Sequence, residues 1–397
     1  MPGVGDRITP VFAAPRLMRW LALSTSGDVT DASSSSRTLS VEVWRLAWPA
    51  ITHMLLVTLV LLVDRMILGH YSDSALGSLQ ISGTLVWTLY SIFTAFSSGT
   101  IAVVARAFGE NDKSGATRAA AVSLGFSALL GIVVTAAVLG SLSTALPWVF
   151  PDAGADVLHD ATSYLAIVLP CLAASFVEAS AAASLQAAGD TKTPLRAGIV
   201  ANLLNLAISC TLVFGLFGAP ALGVRGAAIG AATAMVVQAT LLLYALFSKS
   251  SPLPLRSFAR DLRIGETVAR LMKVSVPAYL EKIIYNGGYL LFVIVIARLG
   301  KAAMAANQAM VSIEAICFLS AEGFAIAAAS LVARKLGGGK KDEASDVAII
   351  ATRMSILLLT ACGIVFAVFP RVLMRAFTAD PEFLVVTECA GTDRGPS

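Results

Sequence analysis

Charge is what this sequence has least of. Charged residues fill 14% of 397 positions, while 57% are hydrophobic and the mean hydropathy is +0.79. Water-soluble domains carry about 25% charged residues, so water is the wrong solvent for most of this surface. Cysteine is sparse and scattered: Cys171, Cys210, Cys317, Cys362 and Cys389 lie far apart, four of them inside apolar segments. That spacing excludes a disulfide framework or a zinc site and suits small packing residues. The net charge of +4 is spread between apolar runs rather than gathered in one patch, which excludes nucleic acid as a partner. Enzyme motifs are missing too: no HExxH, no glycine-rich phosphate loop running into a lysine, no Ser/His/Asp grouping. "LGGGKKDE" at 336–343 looks like a phosphate turn but joins two apolar runs and reads as a connector. No enzyme activity, cofactor or metal is expected.

What remains is apolar runs of the length that crosses a bilayer as helix, about 20 residues. Nine spans are predicted, at 45–68, 78–104, 117–146, 161–187, 195–218, 223–247, 271–297, 303–333 and 345–369. Turn-forming connections such as "AAGDTKTP" and "GAPALG" separate them. Residues 1–43, with "DASSSSRTLS", have no apolar core of signal-peptide length and read as a disordered cytoplasmic tail. Arg106, Lys113 and Arg118 follow span two, Lys192 and Arg196 follow span four, and Arg334, Lys335, Lys340 and Lys341 follow span eight. The alternate loops "GHYSDSA" and "PDAGADVLHDA" hold no Lys or Arg, so the positive-inside bias places the N-terminus in the cytoplasm. Arg298 and Lys301 dissent mildly on the outer side.

The chain also repeats itself. Shifted by 228 residues, Pro49-Ala50 falls on Pro277-Ala278, Gln80 on Gln308, Phe96 on Phe324, "VAR" at 104–106 on "VAR" at 332–334, and Gly109 on Gly337. Six spans precede the second copy, an even number, so both copies enter the membrane from the same side. The pattern is a parallel repeat about an axis along the membrane normal, as secondary transporters use. The second copy is short: after the counterpart of span three, "VVTECAGTDRGPS" cannot cross a bilayer, and truncation of the reading frame is the expectation. The predicted architecture is an all-α integral membrane protein of two lobes, six helices plus an incomplete second lobe. Its parts are a tail over 1–43, a first lobe over 44–250, a linker over 251–268, a partial second lobe over 269–389 and a tail over 390–397.

Ionisable groups within a span are costly and usually face a bundle interior or water. Asp64 stands in "TLVLLVD", on one helical face with His53, Val57, Leu61 and Leu68. One reading lets it reach interfacial water and do nothing; the other makes it a carboxylate that takes a proton from one side and releases it to the other. In span five, Asn202, Asn205 and Ser209 recur at i, i+3 and i+7. Such a polar stripe either glues helices together or lines a hydrated cavity beside Asp64. Glu178, with Ser175 one turn earlier, Glu281 with Tyr285 on its face, and Glu314 with Asn307 are read either as interhelical hydrogen-bonders or as transport residues. Lys282 and Glu322 complete the set.

Successive motifs, "LLVDRMILGHYSDSALGSL", "VARAFGENDKSGA", "AAGDTKTPL", "AAMAANQAMVSIEAICFL" and "EGFAIAAASLVARKLGGGKKDEA", resemble the multidrug and toxic compound extrusion (MATE) transporters from about Val41 to Phe383. The resemblance implies twelve helices in two lobes, an outward-facing cleft, and antiport of H⁺ or Na⁺ against organic, often cationic, solutes in the cell (inner) membrane. It implies a coupling aspartate on the first helix, matched by Asp64 in "VDxxxxGH", with Asn202, Asn205 and Ser209 around it. Where many relatives carry Asn and then Asp four residues apart on helix five, this chain has Asn205 and Ser209, which favours a proton over Na⁺. Glu281, Glu178, Glu314, Gln308 and Tyr285 are candidates for the cleft or a second-lobe site. The implied partners are the bilayer and small organic substrates, and a monomer is expected. The alternatives are a non-transporting remnant of such a transporter, or a flippase for lipid-linked sugars, which a cleft lined by many cationic side chains would favour.

Overall fold

A computed structural model describes residues 29–150, 154–249, 251–253, 255, 264–298 and 301–368; over 301–313 the description extends to the helix but not to its side chains. Among these residues there are nine α-helices: α1 Val29–Tyr71, α2 Asp73–Gly109, α3 Lys113–Val149, α4 Ala155–Ala187, α5 Lys192–Phe214, α6 Val224–Phe247, α7 Ile264–Arg298, α8 Lys301–Gly337 and α9 Lys341–Val368. They coincide in order with the nine predicted spans. Helix is what hydrocarbon demands, because it satisfies every backbone N–H and C=O within the segment. Among the described residues, eight of the nine hold a stretch long and apolar enough to cross a membrane. Helix α7, the predicted seventh span, carries Lys273, Glu281 and Lys282 and packs along α2.

Two predicted boundaries differ. The tail was expected to run to residue 43, but α1 already begins at Val29. Leu39 and Val43 are buried against Phe324, Ala327 and Leu331 of α8 and Val347 and Ala351 of α9. The serine-rich composition hid that stripe, and apolar burial against two helices overrides it. The expected linker likewise ends early, since α7 starts at Ile264. Residues 1–28 and 369–397, including Cys389 and the predicted C-terminal tail, lie outside the described residues.

Local chemistry sets the connections. One residue, Ser72, separates α1 from α2, and its hydroxyl accepts the Ala75 N–H at 3.1 Å. Asp112 caps α3, accepting from the Gly115 N–H at 2.8 Å and from the Ser114 hydroxyl at 2.8 Å. Those donors hold its carboxyl below the usual aspartate range. The cap therefore contributes fully above that range and is lost as pH falls through the lowered value. Asp112→Ala is expected to destabilise the protein by about 1 kcal/mol at neutral pH, and thermal unfolding should show the difference closing in acid.

The repeat is visible as a contact made twice. A Cβ added at Gly109 would strike the carbonyl of Arg334, and one added at Gly337 would strike the carbonyl of Arg106. The two pairs exchange under the 228-residue shift, so α2 and α8 cross backbone-to-backbone on the axis relating the lobes. Small residues are what permit such a crossing. At the same basic end, the Lys335 ammonium lies 2.8 Å from Glu343 of α9 and 3.5 Å from Glu42 of α1. The Arg334 guanidinium sits 5.3 Å over the Phe108 ring. It also packs against Gly189, whose φ of +89 turns α4 into α5.

Candidate functional site

Asp64 sits on α1 where the helix leaves its run of aliphatic residues, and it is partly buried. Helix α5 lies alongside and brings Asn205, 3% exposed, up to the carboxylate. The amide Nδ2 of Asn205 donates to both oxygens of Asp64, at 3.2 and 3.1 Å. Behind it the fully buried Ser209 hydroxyl donates to Asn205 Oδ1 at 3.2 Å. These three groups form one chain, hydroxyl to amide to carboxylate. Tyr164 of α4 lies within electrostatic reach of Asp64.

Gly230 of α6 makes the chain possible. A Cβ there would touch the Ser209 hydroxyl and stand 2.9 Å from Asn205 Oδ1. Sequence reasoning passed over Gly230; its only signal was the run of small residues "GAAIGAATA". Toward the end of the bundle away from the basic loops, Leu68, Val213 and Val224 form an apolar layer. Beyond it, a polar cavity of about 800 Å³ opens among Tyr71, Ser74, Asp160 and Arg225.

The other predicted residues fall into different places. Asn202 is half-buried and makes no hydrogen bond to Asp64: one turn of α5 separates it from Asn205, and only the latter points at α1. Glu178 of α4 is 6% exposed and accepts from Gln238 Nε2 of α6 at 2.9 Å, an interhelical hydrogen bond. Glu281 is exposed on α7, and Tyr285 stacks on Phe318 of α8 with ring centroids 6.1 Å apart. Glu314, also exposed, lies within electrostatic reach of Tyr289, one turn beyond Tyr285. The side chain of Gln308 lies outside the described residues. Asp64 and the acids of α7 and α8 thus occupy separate neighbourhoods.

The Ser209 hydroxyl holds the amide in the orientation that presents N–H groups to Asp64. In that orientation the amide favours the ionised carboxylate; a protonated Asp64 would need the carbonyl side instead. Ser209→Ala removes the hydrogen bond that resists this turn, a net contribution of about 0.5–1.5 kcal/mol. The variant is expected to unfold at a lower temperature than the wild type, measured by thermal unfolding.

The sequence profile of the family MatE matches residues 49–211 and 277–391. Its two matches begin at Pro49 and Pro277, the same 228-residue spacing as the internal repeat. The chain is 29% identical over 353 residues to the Probable multidrug resistance protein NorM of Thermotoga maritima, covering 87% of this chain and 74% of that protein. Its fold is similar to the outward-facing conformation of a multidrug resistance MATE family transporter of the MOP superfamily, with a TM-score of 0.81, 20% identity, and coverage of 90% of this chain and 79% of that one. It is similar also to the Vibrio cholerae MATE transporter VcmN in the bent form, with a TM-score of 0.79, 19% identity, and coverage of 88% and 78%. A bundle of membrane-length helices, a parallel repeat and a profile matched once in each lobe converge on one conclusion: the chain belongs to the MATE family of multidrug efflux transporters, multi-pass proteins of the cell membrane.

Proposed function

We propose that this protein is a proton-coupled antiporter that exports organic, often cationic, compounds by alternating access between its two lobes, with its N-terminus in the cytoplasm and Asp64 as the coupling group. The observation that carries this reading is the Asn205 amide donating into both oxygens of Asp64, with the neutral Ser209 where a second acid would stand. A cation bound at Asp64 would seek oxygen ligands, yet Asn205 turns hydrogens toward it, and its carbonyl is already engaged by Ser209. A proton needs only one carboxylate. Protonation changes the charge from −1 to zero and reverses what Asp64 asks of the amide, which links the site to the packing of α5 against α6.

The test is transport of a fluorescent organic cation in proteoliposomes. An imposed pH gradient in Na⁺-free buffer is expected to drive uphill movement of the dye, and a Na⁺ gradient at equal pH to drive none. Transport energised by the Na⁺ gradient alone would overturn the proton reading.

A further inference from the structure

The mechanism above leaves a second buried polar cluster unused. His53 of α1 and Glu178 of α4 are each 6% exposed, and Gln238 of α6 lies between them. Gln238 Nε2 is 2.9 Å from Glu178 Oε1 and 3.3 Å from His53 Nε2. Gly198 of α5 closes the fourth side, where an added Cβ would stand 2.7 Å from the His53 ring. His53 Nδ1 is buried and has no hydrogen-bond partner. The neighbouring titratable groups are Tyr90 on α2 and Glu322 on α8, with Tyr90 in electrostatic reach of both Glu178 and Glu322. The basic residues facing this level from α5 and α9, Arg196 and Arg353, are exposed. His53 shares a helical face with Asp64 and lies eleven residues nearer the basic end, about 16 Å along the axis.

We propose that His53, Gln238 and Glu178 form a second proton-holding station of the first lobe, between Asp64 and the basic end of the bundle. An amide placed between a carboxylate and an imidazole can face them in two ways. With its NH₂ toward both, it donates one hydrogen to ionised Glu178 and one to His53 Nε2, which forces the imidazole proton onto Nδ1, where no acceptor waits. With its carbonyl toward both, it accepts from the carboxyl O–H of protonated Glu178 and from His53 Nε2–H, and Nδ1 is left bare. Passing from the first state to the second adds one proton, which ends on Glu178, and raises the net charge by one. The imidazole changes tautomer without changing charge. The unpartnered Nδ1 thus carries a hydrogen in the first state and a lone pair in the second, and the position of the ring proton reports which state is present. The station deepens the proton reading of Asp64 and shares no residue with that site.

Nitrogen-15 NMR of the purified, detergent-solubilised chain tests it. The sequence has only three histidines, His53, His70 and His159, so loss of one signal in His53→Asn assigns that resonance. As the pH is lowered and Glu178 takes up its proton, the His53 proton is expected to move from Nδ1 to Nε2. In Glu178→Gln, whose side chain takes up no proton, the tautomer is expected not to change with pH. A His53 signal that is invariant with pH in the wild type, or one that titrates identically in Glu178→Gln, overturns the station. Should that variant not fold, the wild-type titration alone decides. Asp64→Asn is expected to leave the His53 titration in place, so failure of the Asp64 reading, seen as retained proton-driven efflux in that variant, is distinguishable from failure of this one.

Discussion

Asp64→Asn is expected to abolish pH-driven efflux while the bundle stays folded. The substitution is isosteric and keeps one acceptor oxygen for the Asn205 amide, so the packing of α1 on α5 survives. What disappears is the only group in the chain of Ser209, Asn205 and Asp64 that gains or loses a proton. The gradient-driven rate is expected to fall to that of protein-free vesicles. Binding of the dye, followed by fluorescence anisotropy, should change little at a fixed pH. Asn205→Leu makes the informative contrast. It leaves the carboxylate without its two donors, a desolvation penalty of about 1–3 kcal/mol, and should lower stability as well as transport. A wild-type pH-driven rate in Asp64→Asn would remove this residue from coupling.

The second large effect concerns the crossing of α2 and α8. Gly109→Val and Gly337→Val are each expected to lower the unfolding temperature and to stop efflux. A Cβ at either position meets a backbone carbonyl of the other helix, and backbone cannot move aside as a flexible side chain can. Overpacking of this kind costs about 1–3 kcal/mol. Because the two contacts are related by the repeat, the two variants should behave alike. The double variant should lose less than the sum, since the first substitution has already parted the helices for the second. Gly125→Ala is the control: nothing lies within 4 Å of its added Cβ, and the higher helix propensity of alanine is worth up to about 1 kcal/mol in its favour. Equal damage from Gly125→Ala and Gly109→Val, read by thermal unfolding, would show that the crossing has no special tightness.

What the amino-acid order alone determined is what lipid and helix periodicity dictate. In hydrocarbon a spanning segment has few structural options, so the lengths of the apolar runs predicted nine helices to within a few residues at most ends. Residues with constrained backbones, Pro49 and Pro277, Gly109 and Gly337, carried the repeat, because proline within a helix and glycine at a close crossing tolerate few substitutes. Asp64 and the face shared by Asn205 and Ser209 were also legible: a polar group in an apolar helix is conspicuous, and helical spacing assigns its side. The start of α1 at Val29 was not, because Leu39 and Val43 matter only once α8 and α9 are there to cover them.

Spacing along one helix says nothing about rotation against another, and that is what the tertiary structure alone decided. It turned Asn205 rather than Asn202 toward Asp64, and placed Gly230 where the Ser209 hydroxyl needs room. It also brought His53, Glu178 and Gln238 from three helices into one hydrogen-bonded cluster. Each of these polar groups is conspicuous in its own span, but its partner is fixed by how helices of similar apolar surface pack. That packing is set by small residues and close backbone contacts, which a hydropathy pattern does not contain.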